Sequence, residues 1–431
     1  MPSGYTPPED APPSARNLGA LASQQVRTRG HAPFITFYDD ARGERTELSY
    51  ATFDNWVSKT ANLLVEELEV GRGDRVATLL GNHWTAVVVA FACWKVGCSV
   101  VPVDADPGML AASGAATVVA REDLVGGLTQ DAGGADRPQV VVVGQGMGGR
   151  LSGTAASPED AVAYGEEVLA FADDYDDPDV GPPDEALLVL PAGGSGPPAA
   201  VRLTQGNLLA AAEALAAWGL GSDDRLLCTR AVHLPDGLVL AHLGAFAAGA
   251  SVVLTRTFDP SRLWRRAADE RATLLHLAPA HLDQLEAGSP PEGLRCALVP
   301  AGADPGVTAG VRERLPVVVG HGLAEATSIS TLSPPAPDAD TRAWLEEAAG
   351  RPVGAVTARA AVAALDAAGA PLDHGAEGRL GIGGPVVMAG YDGRPDLDER
   401  ALGSGWFASA ERGYTDVGPD GATHVFVTGP A

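Results

Sequence analysis

The chain has 431 residues, 45% of them hydrophobic, which is enough for a large core divided among two or three structural units. Asp and Glu number 55 against 30 Lys and Arg, and the formal charge of −25 repels nucleic acid and anionic membrane surfaces. We therefore expect a globular cytoplasmic protein that has neither nucleic acid nor a membrane as a partner.

We predict a membrane span neither in the first residues of the chain nor in its longest apolar stretch. Residues 1–18 are polar and rich in proline, which predicts a disordered tail. Residues 237–254 approach the length of a membrane span. They include His242 and several small residues, which favours a buried helix followed by a buried strand.

Lysine and cysteine usage narrows the available chemistry. Lys59 and Lys95 are the only lysines, so a mechanism that needs an ammonium group has two candidates. The four cysteines form neither a CxxC pair nor a zinc-like spacing. We expect reduced, mostly buried thiols and no structural metal.

Strands and helices alternate along the first part of the chain. Two strands, 33–40 and 44–50, are predicted to flank a turn. A helix, a strand, a buried helix and a second strand are then predicted over 49–68, 74–80, 85–97 and 99–104. The same rhythm recurs from residue 186 onward. This alternation predicts two similar α/β layers with mainly parallel sheets.

An acidic stretch and a glycine-rich region suggest where the chain divides. Residues 158–185 carry eleven acidic side chains and no basic one. A metal site within 173–179 is an alternative, but the EF-hand register is missing, so we interpret the stretch as a solvated acidic linker. We predict a first α/β subdomain over 19–180, a second over 181–346 and a small β-rich subdomain over 347–431.

The stretch LPAGGSGPPAAVRLTQGNL, residues 190–208, has glycines where a loop approaches a phosphate. A strand, a glycine-rich turn and a helix beginning near Thr204 form a context in which backbone N–H groups surround an anion. By itself, such a stretch is more often a plain surface turn than a phosphate site.

Five further motifs occur in an order that identifies a family. They are GRGDRVA (71–77), GHGLAEAT (320–327), GRPVGAV (350–356), GGPVVMAGY (383–391) and GWFASAERGYTDVGPDG (405–421). This order resembles the N-terminal domain of the adenylate-forming (AMP-binding) superfamily, and in particular acyl-CoA synthetases. The resemblance implies two packed, mainly parallel α/β sheets with a small β-rich subdomain. It also implies that ATP or AMP, Mg²⁺ and a carboxylic acid or acyl-adenylate are ligands.

The resemblance also assigns roles to the glycine-rich loop. The family outline TSGTTGxPKGV holds the phosphates of ATP, which implies phosphate contacts from Gly193, Gly194, Ser195 and Gly196. Ala199 stands at the lysine position of this outline, and Gly194 replaces one of its threonines. The glycines are therefore interpreted as keeping the turn, while most of its polar side chains are lost.

The resemblance of the later motifs to the family implies further residues at the nucleotide site. His321 takes the place of an aromatic residue near adenine, although a structural role for this histidine is the alternative. Glu325 is the carboxylate for Mg²⁺ and the best candidate for a catalytic residue, while Ala324 replaces a threonine. Glu411 takes the place of an aspartate that holds the ribose. Nucleotide contacts are also implied for Gly302 and Ala303, and the acyl pocket for the region around 231–238.

These departures from the family pattern shape the functional hypotheses. Family members continue into a C-terminal lid domain with a second catalytic lysine, whereas the given sequence stops at Ala431, so we expect no lid. The first hypothesis is a degenerate pseudo-ligase that binds a nucleotide or acyl-adenylate. The second is an ATP-dependent carboxylate-activating ligase that works with a partner synthetase or a separate lid domain. The third is a non-catalytic structural or interaction protein.

Overall fold

The structure is a computed structural model that describes residues 15–104, 107–126, 138–144, 161–177, 179–190, 199–282, 289–300, 311–312, 314–334 and 337–431. Of the predicted tail, residues 1–14 lie outside these ranges, and the first helix begins at Leu18. Helices and strands are numbered below in chain order.

The helices vary from one turn to almost four turns in length. They are α1 (Leu18–Arg29), α2 (Tyr50–Asn62), α3 (Trp84–Val96), α4 (Pro107–Ser113), α5 (Tyr164–Glu167), α6 (Gln205–Trp218), α7 (Gly244–Ala248), α8 (Leu263–Asp269), α9 (Pro279–Leu282), α10 (Ala339–Glu347) and α11 (Pro395–Leu402). Wider π-helical turns continue α2 over Leu63–Glu67 and precede α7 over Asp236–Leu243. Short 3₁₀ turns cover Val168–Ala170, Pro260–Arg262 and Ala324–Ala326. Within the described residues, every helix is too short or too polar to span a bilayer.

The larger sheet has a parallel centre and an antiparallel extension. Its strands in the described residues are β1 (Pro33–Asp39), β2 (Glu44–Ser49), β10 (Arg225–Cys228), β11 (Ser251–Thr255), β12 (Leu274–His276), β13 (Cys296–Pro300), β14 (Val317–His321), β15 (Thr331–Leu332), β16 (Arg351–Val356), β17 (Ala361–Leu365), β18 (Gly378–Gly383), β20 (Phe407–Val417) and β21 (Thr423–Pro430). The order is β17-β18-β20-β21-β16-β15-β14-β13-β12-β10-β11-β1-β2. The strands from β14 to β1 in this order pair in parallel.

The smaller sheet is mainly parallel. Its strands in the described residues are β3 (Arg75–Leu79), β4 (Ser99–Pro102), β5 (Thr117–Arg121), β6 (Gln139–Val143), β7 (Val162–Ala163), β8 (Glu185–Val189), β9 (Val201–Thr204) and β19 (Gly390–Tyr391). The order is β19-β9-β8-β4-β3-β5-β6-β7. Two packed α/β sheets with a β-rich unit are the predicted fold class, which is confirmed. That unit extends the larger sheet through the antiparallel pair β15 and β16.

The chain passes more than once between the two sheets. β1 and β2 come from the N-terminal part of the chain but belong to the larger sheet, whereas β19 comes from the β-rich part and joins the smaller one. The subdomain boundaries after residues 180 and 346 stay predictions. The acidic stretch is packed along its apolar side, because Tyr164 and Val168 are buried while most of its carboxylates are exposed.

Helix α3 lies between the sheets. All of its residues are buried, as expected for a helix that is apolar on every side. It contacts β1 of the larger sheet and β3 and β4 of the smaller one. The indole N–H of Trp94 donates to the carbonyl of Ala186 in β8 at 2.9 Å, and Gln205 at the start of α6 donates to the carbonyl of Trp94 at 2.8 Å. α3 is thus bonded to β8, which precedes the glycine-rich loop, and to α6, which begins after β9.

The predicted details of this part of the chain agree with the structure. Gly97 ends α3 in a left-handed conformation with φ 81°, as expected for a glycine after a helix. All four cysteines are free and buried. Residues 237–254 form a buried helical segment followed by β11.

The buried ion pair between α3 and α2 yields a stability prediction. Nζ of Lys95 lies 2.7 Å from Oδ1 of Asp54, and the side chains are 5% and 18% exposed. We expect Lys95→Met to lower the free energy of unfolding by about 3 kcal/mol, because it leaves a largely buried carboxylate without its cation. The double variant Lys95→Met/Asp54→Leu should recover most of this loss. Urea unfolding of the three proteins measures both effects, and a double variant no more stable than the single one would contradict the prediction.

Candidate functional site

The glycine-rich loop joins two antiparallel strands. Its residues 191–198 lie outside the described residues, but both of its flanks are described. β8 pairs with β9 so that Val189 lies opposite Val201, and α6 begins only after Thr204 has capped it. The predicted helix start near Thr204 is confirmed, but the prediction that the glycine-rich turn leads directly into this helix is wrong, because β9 lies between them. Val201 and Leu203 are buried on one face of a short strand. Apolar residues at every second position were the sequence signal that could have predicted β9.

The downstream flank of the loop is held by β19. Tyr391 in β19 lies opposite Val201. The backbone N–H of Asp392 donates to the carbonyl of Ala200 at 2.8 Å. The segment that carries Tyr391 is thus adjacent to the end of the glycine-rich loop.

A compact loop over residues 322–330 joins β14 and β15. Gly322 packs so closely that a Cβ at this position would lie 2.0 Å from the carbonyl of Ser328. Thr327 and Ser328 adopt left-handed conformations with φ 51° and 62°, which few residues with side chains do. This tight conformation explains why the motif has glycine directly after His321.

The 322–330 loop is attached to the segment 385–391 by hydrogen bonds. The hydroxyl of Thr327 donates to the carbonyl of Val386 at 2.6 Å, and the N–H of Met388 donates to the carbonyl of Glu325 at 2.8 Å. Residues from two motifs that are distant in sequence therefore form one rigid structure.

Two predicted site residues, His321 and Glu411, are in direct contact. Nε2 of His321 lies 2.7 Å from Oε2 of Glu411, and Nδ1 lies 3.3 Å from the hydroxyl of Ser330. That hydroxyl donates to the carbonyl of His321 at 2.9 Å. The proton of the Ser330 hydroxyl is used there, and Nε2 of the imidazole faces the carboxylate of Glu411. His321 therefore orients Glu411, a role that the sequence did not predict.

The contact with His321 sets the electrostatic state of Glu411. The hydrogen bond from His321 holds the pKa of Glu411 below its ordinary value; burial of the carboxyl opposes this shift, and the nearby Arg351 adds to it. Oε2 accepts from His321, whereas Oε1 accepts no hydrogen bond from another residue in the described ranges. Glu411 thus offers one ionised, oriented oxygen to a ligand hydroxyl.

Glu325 is oriented by a different partner. The hydroxyl of Tyr391 donates to Oε1 of Glu325 at 2.9 Å. Burial, and then the charge of Glu325, raise the pKa of Tyr391 far above its ordinary value, so the phenol stays protonated and keeps donating. The motif that contains Tyr391 was recognised in the sequence, but its bond to Glu325 depends on the approach of two distant segments.

Glu325 fits a magnesium ion that arrives with a nucleotide. Among the described residues, no group of three or more His, Cys, Asp or Glu side chains is arranged to hold a metal by itself. Mg²⁺ at nucleotide sites usually takes one or two carboxylates and completes its shell with phosphate and water oxygens. A single oriented carboxylate matches that pattern.

A cavity of about 460 Å³ opens beside the 322–330 loop. Gly320, Gly322 and Ala324 line it on that side. Leu190 and Pro300 also line it and are the last described residues before 191–198 and 301–310. Those two stretches contain the predicted residues 193–196, 302 and 303 and lie outside the described residues.

The cavity lies at the carboxyl ends of strands from both sheets. Leu190 follows β8 of the smaller sheet, while His276 and Pro300 end β12 and β13 of the larger one. The crevice outside the carboxyl ends of the strands is where open α/β sheets bind ligands.

Several polar side chains in the cavity were not predicted individually. They are Asp104, Arg230, His233, Asp236 and His276. The resemblance indicated the region 231–238, which contains two of them, but the others follow strands that are far apart in sequence. Only the order of the strands brings them together.

Neither lysine lines this cavity. Lys95 is paired with Asp54, and its Nζ also donates to the hydroxyl of Ser58 at 3.0 Å. Nζ of Lys59 donates to the carbonyl of Phe171. Both ammonium groups therefore have structural partners.

Comparisons with known proteins agree on one family. The sequence profile described as AMP-binding enzyme matches residues 22–392. A Mycobacterium tuberculosis protein whose name states no activity is 35% identical over 255 residues, which are 59% of this chain and 96% of that protein. A feruloyl-CoA synthase from an Amycolatopsis species is 30% identical in an alignment 427 residues long, which covers 95% of this chain and 78% of that protein.

A solved structure confirms the fold. The inhibitor-bound N-terminal domain of FACL13 from Mycobacterium tuberculosis superimposes with a TM-score of 0.78 and 20% identity. The superposition covers 96% of this chain and 100% of that domain.

The contact between His321 and Glu411 predicts a pH dependence of stability. The pKa of Glu411 is lower in the folded state than the value of about 4.3 expected in an unfolded chain. Ionised Glu411 therefore stabilises the fold above that pH, and this contribution disappears as the pH falls through the folded pKa. We expect the wild type to be more stable than Glu411→Gln at pH 6, and this advantage to decrease as the pH falls below about 4.3.

Urea unfolding between pH 6 and pH 3 tests this prediction. Glu292→Gln, which removes an exposed carboxylate, is the matched control and should leave the stability nearly unchanged over the whole range. A wild-type advantage over Glu411→Gln that does not vary with pH would contradict the prediction.

Proposed function

The chain belongs to the AMP-binding enzyme family, and we propose that it binds ATP and a carboxylic acid at this site and joins them into an acyl-adenylate. In this reaction a carboxylate oxygen forms a bond to the α-phosphorus of ATP, and the bond from that phosphorus to the departing pyrophosphate breaks. The observation that carries the proposal is that the cavity at the carboxyl ends of both sheets is lined by Gly320, Gly322 and Ala324. These are the chain neighbours of His321, which contacts Glu411, and of Glu325.

The described residues suggest a division of roles. Oε1 of Glu411 accepts a ribose hydroxyl, while His321 holds Oε2 and fixes the direction of the carboxylate. Glu325, oriented by Tyr391, contributes a carboxylate oxygen to Mg²⁺. Mg²⁺ would offset phosphate charge when bound. Residues 193–196 are proposed to surround the phosphates with backbone N–H groups.

The cavity itself is proposed to hold the carboxylic acid. Its walls are mainly apolar, with Leu190, Leu234 and Leu298 among them, and a few polar groups project into it. The relative named feruloyl-CoA synthase makes ferulic acid the first acid to test.

A second candidate, a protein that binds the nucleotide without catalysis, is favoured by specific residues. Ala199 and Ala324 stand where the family has a lysine and a threonine. Both lysines of the chain are engaged elsewhere. The named relatives do not support an inactive protein, and we therefore place this candidate second.

Calorimetric titration and a pyrophosphate assay distinguish the candidates. We expect ATP and AMP to bind, ATP only weakly without Mg²⁺, and pyrophosphate to be released when an acid is added. Nucleotide binding without pyrophosphate release would support the binding protein, and no binding of either nucleotide would refute both. Activity that requires an added synthetase or lid domain would indicate that a partner completes the site.

The role proposed for Glu411 predicts weaker AMP binding when its carboxylate is removed. We expect Glu411→Ala to weaken the binding free energy by about 1.5–3 kcal/mol, because a charge-assisted hydrogen bond to the ribose is lost. Glu411→Asp, which keeps the charge at a shorter reach, should lose less. Isothermal titration measures all three affinities, and equal AMP affinity in wild type and Glu411→Ala would exclude a ribose contact.

The glycine-rich loop yields a gain-of-function prediction. We expect Gly194→Thr/Ala199→Lys to bind ATP more tightly and to release pyrophosphate about 10²-fold faster, because an ammonium beside the β- and γ-phosphates stabilises the charge that develops there. Gly194→Thr/Ala199→Met is the matched control, because methionine has similar length without the charge. Equal ATP affinity and equal rates in the two double variants would show that this loop does not contact the phosphates.

A further inference from the structure

The cavity extends across four adjacent strands of the larger sheet. Gly320 is in β14, and the neighbouring strands are β13, β12 and β10 in that order. Arg230 follows the last of these strands and lines the same cavity. Three strand spacings of about 4.8 Å separate the two ends, or about 14 Å. An acid whose carboxylate lies beside the 322–330 loop therefore directs its far end toward β12 and β10.

His276 is a polar group near this far end, and one of its ring nitrogens is left for a ligand. It ends β12, is only 1% exposed and lines the cavity. Its Nδ1 lies 3.8 Å from Sγ of Cys228, and its Nε2 makes no hydrogen bond within the described part of the chain. Because His276 lines the cavity, a ligand or water there can bond to this nitrogen.

The charge of His276 limits what it can recognise. Burial lowers the pKa of His276 to about 4, so the ring is neutral at pH 7. In a neutral imidazole, one nitrogen donates and the other accepts, and the contact with Cys228 permits either arrangement. A hydroxyl group complements Nε2 in both cases because it can donate and accept. A methyl group of the same size can do neither.

The ion pair next to His276 disfavours charged substituents. Nε and Nη2 of Arg230 each lie 2.6 Å from Oδ2 of Asp236, and these side chains are 15% and 16% exposed. The two charges offset each other. Because the pair is neutral as a whole, it leaves no uncompensated charge for a charged substituent, and desolvation of an ion at this site is costly.

We propose that His276 is a specificity-determining residue that selects carboxylic acids bearing a neutral hydrogen-bonding group, such as a phenolic hydroxyl, at the end remote from the reacting carboxylate. This inference rests on the proposed function, because it takes the carboxylate to lie beside the 322–330 loop. The Arg230–Asp236 pair limits the remote group to neutral ones. The substrate class is therefore hydroxylated aromatic or comparably long hydroxy acids rather than fatty acids or diacids.

Binding measurements with a matched set of acids test the inference. The set is cinnamic acid with hydrogen, hydroxyl, methyl or carboxylate at the para position, titrated at pH 7 with Mg²⁺ and AMP present. We expect the hydroxyl acid to bind about tenfold more tightly than the methyl acid, and the dicarboxylate to bind most weakly. In His276→Leu the hydroxyl acid should lose about tenfold in affinity, while the methyl acid should bind at least as well as before.

Two further variants separate recognition from damage to the core. His276→Asn keeps a donor and an acceptor near the same place and should retain much of the preference for hydroxyl. His242→Leu makes the same exchange at a buried histidine that does not line the cavity, and it should leave the preference unchanged. Thermal unfolding of each variant verifies that it is folded.

The outcomes distinguish this inference from the proposed function. Selective binding of the hydroxyl acid without pyrophosphate release would refute adenylate formation but support the role of His276. Pyrophosphate release with equal preference for the hydroxyl and methyl acids, or an unchanged preference in His276→Leu, would overturn the inference and leave the proposed function intact. Failure of every acid to bind would overturn both.

Discussion

Burial of α3 between the two sheets is the constraint on which the rest of the structure depends. A helix that is apolar on all sides is stable in water only when it is covered on all sides, and here strands of both sheets cover it. Trp94 and Gln205 then connect α3 to β8 and α6. This packing fixes the distance between the two sheets. It therefore also fixes the separation of the strand ends that line the cavity.

In the candidate site, hydrogen bonds hold one segment against its neighbours, as apolar packing holds α3 between the sheets. The 322–330 loop contains left-handed residues and a glycine with no room for a side chain, so it needs external support. Thr327 and the backbone of Glu325 obtain that support from the segment 385–391. As a result, each of the two important carboxylates has one oxygen held by a protein donor, Tyr391 for Glu325 and His321 for Glu411.

The charge balance of the site explains why a metal ion is central to the proposed reaction. The formal charge of the chain is −25, and neither lysine lines the cavity. In the cavity, Arg230 is already paired with Asp236. A triphosphate would therefore depend on Mg²⁺ and on backbone N–H groups for compensation of its charge. Selection of a carboxylic acid with a neutral remote group, in contrast, requires no net charge on the cavity wall.

The sequence by itself determined the family, the fold class and some of the helices and strands. Helical spacing identified α2, apolar runs identified α3 and β11, and ordered motifs identified His321, Glu325 and Glu411. These signals are local, because each depends on residues that are neighbours along the chain. β9 was missed because the glycines before it and the helix after it concealed a strand of only four residues.

Only the tertiary structure decided which side chains act together. Glu411 lies 90 residues after His321, and Tyr391 lies 66 residues after Glu325, and no local pattern connects either pair. The cavity likewise collects His276, Arg230 and Leu190 from strands whose order in the sheets differs from their order in the chain. Contacts across strands depend on how the sheets assemble, and this assembly is specified by the packing of the entire core around α3.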